Sequence, residues 1–492
     1  MIQIVCKSEA YTYNVYHIVK AFFPSEEMIS RVEEKASHYV MVQLPDAGRI
    51  LIGTGETDIR TEAVSDEQIQ PLTEKELKYQ IDVKLYHELK RVTGRSLAWG
   101  ILTGVRPTKI AMEKAEEGWT KERFVPWFQA DCLVSRKKAE LSWEIAKREQ
   151  ALLEKLDYEE GYSLYVGIPF CPTVCTYCSF SSGALADWAD RVEDYLDALV
   201  KELVFIAEKS SKKRLNTIYI GGGTPTTLTA SQLERLLGCI DRYFPREDLL
   251  EYTVEAGRPD SITREKLEVL KRHGVTRLSI NPQSMQQKTL DIIGRKHRVE
   301  EIIEAFSLAR GMGFDHINMD LIAGLPKETA ADMADTLRQI KELAPDSLTV
   351  HSLAIKRAAK MEWEDLKTDA DEIYRTLSEM IEMSKEAAGQ MGLLPYYLYR
   401  QKNIAGNFEN VGYAKVDKAG IYNILIMEEK QSIIAAGAGA STKIILKEPI
   451  PMPGSKKKKM TRLMRIENVK AIDAYISRIG EMTERKGEWL WH

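Results

Sequence analysis

From Tyr162 onward, short β-branched runs alternate with amphipathic helical stretches, six times over. The runs Ser163–Phe170, Asn216–Gly221, Glu251–Glu255, Arg277–Asn281, His316–Ile322 and Ser347–Leu353 have the length and composition of buried strands. Between them, Trp188–Glu208, Ser231–Tyr243, Arg264–His273, Val299–Gly311 and Thr329–Leu343 repeat apolar residues at helical spacing, and Ala370–Gln390 follows the last strand. This order predicts a parallel sheet wound with right-handed crossovers. Six units fall short of a closed eight-stranded barrel and suit an open, partial one. In parallel α/β architectures ligands lie at the carboxyl ends of the strands, so chemistry is expected just after each run.

The pattern differs on either side. Met1–Val5, His38–Pro45 and Arg49–Gly55 read as strands and Thr12–Phe23 as a helix, a small α/β unit. Thr73 to Asp157 is charged and helical, punctuated by the loops Gly100–Pro107 and Gly118-Trp119-Thr120. Beyond the barrel, Pro395–Arg400 is rich in aromatic residues, Ile421–Met427 has a strand's composition and Ala435–Gly439 reads as a small-residue turn. Ser455–Arg465 carries six basic residues, for which two readings stand, a solvated flexible loop or an anion-docking patch. The expected divisions are a small α/β domain (1–72), a helical adaptor (73–158), the partial barrel (159–368) and a C-terminal α+β domain covering the substrate (369–492).

Length and composition narrow the function. At roughly 150 residues per domain, 492 residues suggest two to four domains. A hydrophobic fraction of 44% with 29% charged residues excludes a disordered chain. No stretch approaches the roughly 20 uncharged apolar residues of a membrane-spanning helix. The N-terminus meets charge too early for a secretory signal, so the expected location is the cytoplasm. Net charge is −4, with nothing global to recommend nucleic acid.

Six cysteines in so long a chain are not a disulfide scaffold. Cys6, Cys132 and Cys239 are scattered, whereas Cys171, Cys175 and Cys178 form C-x3-C-x2-C directly after the first barrel strand. Structural zinc uses four ligands, usually in two separated pairs, and no second pair stands nearby. Iron–sulfur cubanes take cysteine thiolates, typically four. Three on one loop leave one iron open for a ligand offering an amine and a carboxylate. The other strand ends carry Gly221-Gly222-Gly223-Thr224-Pro225, Glu255, Gln283, Arg295 and Asp320. Glycines let a backbone approach a ligand closely, and a carboxylate such as Glu255 suits ribose hydroxyls or an ammonium. Each side chain alone also reads as a structural polar residue; together they converge on one mouth.

The cysteine motif, with Tyr177 before its last cysteine and a partial barrel around it, resembles the radical S-adenosylmethionine (SAM) superfamily. The resemblance implies a [4Fe–4S] cluster on Cys171, Cys175 and Cys178, with SAM on the free iron, cleaved by one electron to a 5′-deoxyadenosyl radical. Tyr165 through Cys171, Gly222-Gly223-Thr224-Pro225, Arg277-Leu-Ser, Arg295 and Asp320 through Pro326 are similar to the oxygen-independent coproporphyrinogen III dehydrogenase family. The N-terminal extension and Leu398–Asn403 resemble its HemZ type. By that resemblance Tyr165, Gly222, Glu255 and Ala354 line the cluster-bound SAM. Tyr177, Gly223, Thr224, Gln283, Arg295 and Asp320 line a second SAM position.

The implied reaction converts two propionates of coproporphyrinogen III into vinyls, giving protoporphyrinogen IX, with a low-potential donor such as flavodoxin or ferredoxin. Arg400 and Lys402 are candidates for the substrate carboxylates, with plain surface solvation as the alternative. No residue stands out as an acid, base or nucleophile. Two departures exist. The dehydrogenases continue from the cysteine motif with Gly-Cys, where this chain has Ser179-Phe180, closer to the haem-chaperone branch. The chaperones' His-Asn-x-x-Tyr-Trp signature is replaced by Tyr422-Asn423-Ile-Leu-Ile-Met427, without the histidine. A radical SAM enzyme on another tetrapyrrole, in haem degradation or methyl transfer, and a haem-trafficking protein are the alternatives.

Overall fold

A computed structural model describes residues 2–6, 9–24, 26–29, 38–42, 50–54, 57–59, 73–104, 106–179, 182–354, 361, 370–400, 408–452 and 460–491. The chain divides into two compact units.

The first unit comprises Met1–Lys147 with Leu366–Ser378 and Tyr399–Glu409. Its sheet runs in the order Met28–Ile29, Ile2–Cys6, His38–Val42, Ile50–Thr54, Thr57–Ile59. Helix Glu9–Phe22 buries Val15, Ile18, Val19 and Phe22, a single helical stripe, against Ile2, Ile4 and Leu85 and Leu89 of helix Glu74–Thr93. That second helix starts at a Thr73–Glu76 capping box and stops at Gly94, at φ 69°. Helices Thr108–Glu116, Lys121–Cys132 and Arg136–Leu153 follow, so the region expected to be helical is helical.

The second unit comprises Arg148–Asp365, Glu379–Leu398 and Asn410–His492. Its centre is six parallel strands: β1 (Gly161–Ile168), β2 (Arg214–Gly222), β3 (Glu251–Glu255), β4 (Arg277–Ser279), β5 (Ile317–Ala323) and β6 (Ser347–Ser352). Each pairs in parallel with the next, in sequence order. The crossovers are α1 (Val192–Lys209), α2 (Ala230–Tyr243), α3 (Arg264–Arg272), α4 (Val299–Gly311) and α5 (Ala330–Leu343). Thr229, Thr263 and Thr329 cap α2, α3 and α5 by accepting the N–H of the third helical residue. On α1, Leu196, Leu199, Leu203 and Ile206 are fully buried, each contributing about 1.5–3 kcal/mol of apolar transfer.

The C-terminal part extends this sheet on both edges. Ser432–Ala436 lies parallel to β1, followed by the antiparallel strands Ser441–Pro451 and Met460–Glu467. Asn410–Ala414 runs antiparallel to β6, with Leu394–Tyr399 beyond it.

Three local expectations are corrected. Ile421–Glu428 is a helix, not a strand, and its first N–H is satisfied by the Glu251 carboxylate at 2.6 Å. Ala435 and Ala436 end a parallel strand, and the turn begins at Gly437. Arg462 and Arg465 of the basic run lie on strand Met460–Glu467; the four lysines before it lie outside the described residues. Among the described residues, no helix is long and apolar enough to cross a membrane.

Candidate active site

The cysteine loop leaves β1 and is tied on three sides. Phe170-Cys171 pairs with Gly183-Ala184, closing its base. Thr176 donates its N–H to the Ile293 carbonyl at 3.1 Å and accepts that of Met361 at 3.0 Å, and the Thr173 hydroxyl reaches the Gly294 carbonyl at 3.3 Å. Cys178 donates its N–H to the Cys175 carbonyl, a tight turn that brings these two residues together. Cys175 is buried, whereas Cys171 and Cys178 are partly exposed. Burial pushes the Cys171 thiol above its usual pKa, against the Thr224 and Ser182 hydroxyls and the charge of Arg258, which pull it down.

The glycine run closes β2 onto this loop. Gly222 sits at φ 112°, and a Cβ there would come within 2.9 Å of the Ile168 carbonyl oxygen. A Cβ on Gly223 would lie 2.6 Å from the Phe170 carbonyl oxygen and 3.0 Å from the Cys171 sulfur. The Gly223 and Thr224 N–H groups donate to Ile168 and Phe170 at 2.7 Å each, and the Thr224 hydroxyl stands 3.6 Å from the Cys171 sulfur. The close approach that glycine permits here is between two parts of the protein, and it shapes the cradle around Cys171.

Glu255, at the end of β3, receives the Tyr219 hydroxyl at 2.5 Å. Burial raises its pKa to about 7; the Tyr219 bond, Arg277 and the Gly222 N–H oppose the rise, and the charge of Asp320 adds to it. Asp320, on β5, moves the other way. Burial would raise it, but His351 at 3.7 Å and the Asn318 amide at 2.7 Å outweigh burial and hold it below the usual carboxylate range. One carboxylate is thus kept ionised beside another poised near neutrality. Tyr165, Tyr219 and Tyr422 stack here, with ring centroids 6.2 Å apart for the first pair, 4.4 Å for the second and 6.5 Å between Tyr165 and Tyr422. Burial raises the Tyr165 and Tyr422 phenols as well.

Gln283 adopts φ 69°, donates its N–H to the Asp320 carbonyl and accepts that of Ile322. Its buried side-chain oxygen has no partner among the described residues. Arg295 is 4% exposed, and its two terminal nitrogens donate to the backbone carbonyls of Asn281, Pro282 and Gly257, so it braces three segments. Burial raises the Tyr177 phenol, with nearby Cys175 and Cys178 adding to the rise and Arg295 opposing it. Ala354, two residues past β6, is partly buried.

The structure therefore assembles Tyr165, Tyr177, Gly222, Gly223, Thr224, Glu255, Gln283, Arg295 and Asp320 around the strand ends with the three cysteines. Arg400 belongs to the other unit. It is 3% exposed, donates to the Leu102 carbonyl at 2.6 Å and is lowered to about 10 by burial, so it is not a solvated surface group. Lys402 lies outside the described residues. Tyr219, His351 and Arg258 were missed by sequence reasoning, which noted Tyr422 only in place of the chaperones' histidine. Arg258 alone left a local signal, standing three residues after Glu255 and two before Asp260.

The residues fit the expected cluster. Three thiols share one anchored loop, a glycine makes room beside Cys171, and the buried guanidiniums of Arg258 and Arg295 face Cys175, where a thiolate cluster brings negative charge. Among the described residues, no three Cys, His, Asp or Glu groups converge on a single metal ion.

Comparison with known proteins gives three kinds of match. The model of the radical SAM superfamily matches residues 165–340. The oxygen-independent coproporphyrinogen-III oxidase-like protein HemZ of Bacillus subtilis is 41% identical over 429 residues, covering 86% of this chain and 84% of that one. The heme chaperone HemW of Bacillus subtilis is 38% identical over 39% of this chain and 51% of its own length. The oxygen-independent coproporphyrinogen III oxidase of Escherichia coli is 34% identical over 42% of this chain and 45% of its own. In both latter cases the match spans about half of the relative. Among solved structures, coproporphyrinogen III oxidase HemN of Escherichia coli superposes with a TM-score of 0.53 at 24% identity, covering 68% of this chain and 73% of that one, a likeness of fold.

Proposed function

The chain belongs to the radical SAM family that includes HemZ, HemN and HemW, and with it takes a [4Fe–4S] cluster and SAM; from that premise we propose that it is an oxygen-independent coproporphyrinogen III dehydrogenase. Its substrate would be coproporphyrinogen III, its products protoporphyrinogen IX and carbon dioxide, its donor a low-potential flavodoxin or ferredoxin, and its location the cytoplasm. The observation that carries this reading is the mouth itself. Three thiols, the glycine run and Glu255 meet at one end of the barrel.

When bound, the cluster and SAM supply one-electron sulfonium cleavage and the hydrogen-atom abstraction that converts a propionate to a vinyl with loss of an electron and carbon dioxide. The chain's own residues bind and orient. Cys171, Cys175 and Cys178 hold the cluster. Glu255, held by Tyr219, offers an acceptor to the SAM ammonium or ribose hydroxyls, and a cation there would draw its carboxyl into the ionised form. The Tyr165–Tyr219–Tyr422 stack fills the barrel beside it with aromatic surface, limiting the water around the reacting groups. Gln283, with an unpartnered acceptor, and the ionised Asp320, with a fixed negative charge, would serve a second SAM.

The haem-trafficking alternative draws on the match to HemW. Against it stands Tyr422, in place of the chaperone branch's histidine: its phenol is packed in the stack near Glu255 and Glu251, where ionisation to bind iron is opposed. The test is an anaerobic reaction of reconstituted protein with coproporphyrinogen III, SAM and a low-potential reductant. Two vinyl groups per substrate are expected. SAM cleavage that leaves coproporphyrinogen intact would point to another tetrapyrrole, and stoichiometric haem uptake without SAM cleavage to trafficking.

A further inference from the structure

Arg258 lies behind the cysteine loop, 2% exposed, and takes no part in the binding of SAM or substrate proposed above. Asp260 grips its guanidinium with both oxygens: Nε donates to Oδ1 at 3.0 Å and Nη2 to Oδ2 at 2.8 Å. This fork turns the remaining nitrogen toward the loop. Nη1 donates to the Thr173 carbonyl at 3.2 Å and the Thr173 hydroxyl at 3.0 Å, and stands 4.0 Å from the Cys175 sulfur. Arg295 adds a second cation that also bonds toward Cys175, while its terminal nitrogens donate to backbone carbonyls and brace the surrounding segments. His297, 1% exposed, is pushed down to about 4 by burial and by the two arginines, so it is neutral at pH 7. The carboxylate facing this group is Asp260, 3.8 Å from the His297 ring.

We propose that Arg258 is a positioning residue that anchors the cysteine loop and sets the cluster's reduction potential, by holding a buried positive charge against the Cys175 thiolate. Reduction adds one negative charge to the cluster. A fixed cation in a site of low dielectric stabilises the reduced form more than the oxidised one, and hydrogen bonding to a ligating sulfur acts in the same direction. Asp260 opposes Arg258 in charge while holding it in place, so the two residues should move the potential in opposite directions.

The test uses the full chain with its cluster reconstituted, measuring iron and sulfide content and then the midpoint potential by an EPR-monitored titration without SAM. Arg258→Gln is expected to lower the reduced-to-oxidised ratio at a fixed potential about tenfold, equivalent to about 59 mV for a one-electron couple. Arg258→Lys, which keeps the charge, should recover most of that loss. Asp260→Asn should raise the potential. A role limited to holding the loop would change iron content in both residues' variants without opposite shifts in potential. A wild-type potential in fully loaded Arg258→Gln would overturn the proposal, as would shifts of the same sign in Arg258→Gln and Asp260→Asn. Should Arg258→Gln load poorly, Asp260→Asn decides: a raised potential supports the proposal and an unmoved or lowered one overturns it.

Discussion

Glu255 should weaken the fold that contains it. Its carboxyl is held at about 7 in the folded protein against 4.5 for an unperturbed glutamate, chiefly by burial. The sign follows from linkage: the unfolded chain releases this proton at lower pH, so stability is undiminished below 4.5 and falls as pH rises toward 7. At about 1.4 kcal/mol per tenfold change in proton affinity, the penalty reaches about 3 kcal/mol by pH 8. Glu255→Gln keeps the shape and an acceptor for Tyr219 but removes the titration. The cluster-free variant should therefore exceed the wild type in stability by about 3 kcal/mol at pH 8, and by less than about 1 kcal/mol at pH 5. Amide hydrogen exchange along β3, compared at the two pH values, reads this difference directly. The same substitution should weaken SAM binding to the loaded protein about 10- to 100-fold, the usual worth of a hydrogen bond to a charged group. A variant no more stable than the wild type at pH 8 would refute the reasoning, because Glu255 would then not be a strained buried acid.

Replacing Cys171, Cys175 or Cys178 with alanine should abolish cluster absorbance and SAM cleavage, while alanine at Cys132 or Cys239 should leave both intact; optical spectra and iron content decide. Gly223→Ala puts a methyl 3.0 Å from the Cys171 sulfur and 2.6 Å from the Phe170 carbonyl oxygen. It should cut iron uptake severalfold while far-UV circular dichroism stays unchanged. Lys486 and Glu202 form a fully buried ion pair, in which Glu202 also accepts Gly437 N–H at 2.9 Å and the Tyr475 hydroxyl at 2.5 Å. Lys486→Met leaves that carboxylate uncompensated and should cost about 3–5 kcal/mol in denaturant unfolding followed at the C-terminal helices.

Much of the barrel was legible because its signals are local. Alternation in hydrophobic period located the six parallel strands and their crossover helices to within a few residues, but not the short helix Gln287–Ile292. The cysteine spacing announced its own chemistry. What escaped depended on partners distant in sequence. Ile421–Met427 is apolar and rich in isoleucine, which suits a strand, but it lies in a helix whose first N–H is satisfied by a carboxylate 170 residues earlier. Ala435–Gly439 reads as a turn because of its small residues, yet Ala435 and Ala436 end the strand Ser432–Ala436; small residues belong where Gly437 abuts Gly167, whose carbonyl oxygen a Cβ would meet at 2.5 Å. The tyrosine stack joins residues 165, 219 and 422, and no local pattern reveals that the last returns to the barrel.

The most direct measurement is EPR of the anaerobically reconstituted and reduced protein, with and without SAM. Three protein thiolates and one open iron predict a [4Fe–4S] signal that changes on adding SAM, with a nitrogen hyperfine coupling that changes when the amino nitrogen of SAM is isotopically labelled. A signal indifferent to SAM, or reconstituted protein that holds only zinc, would contradict the account.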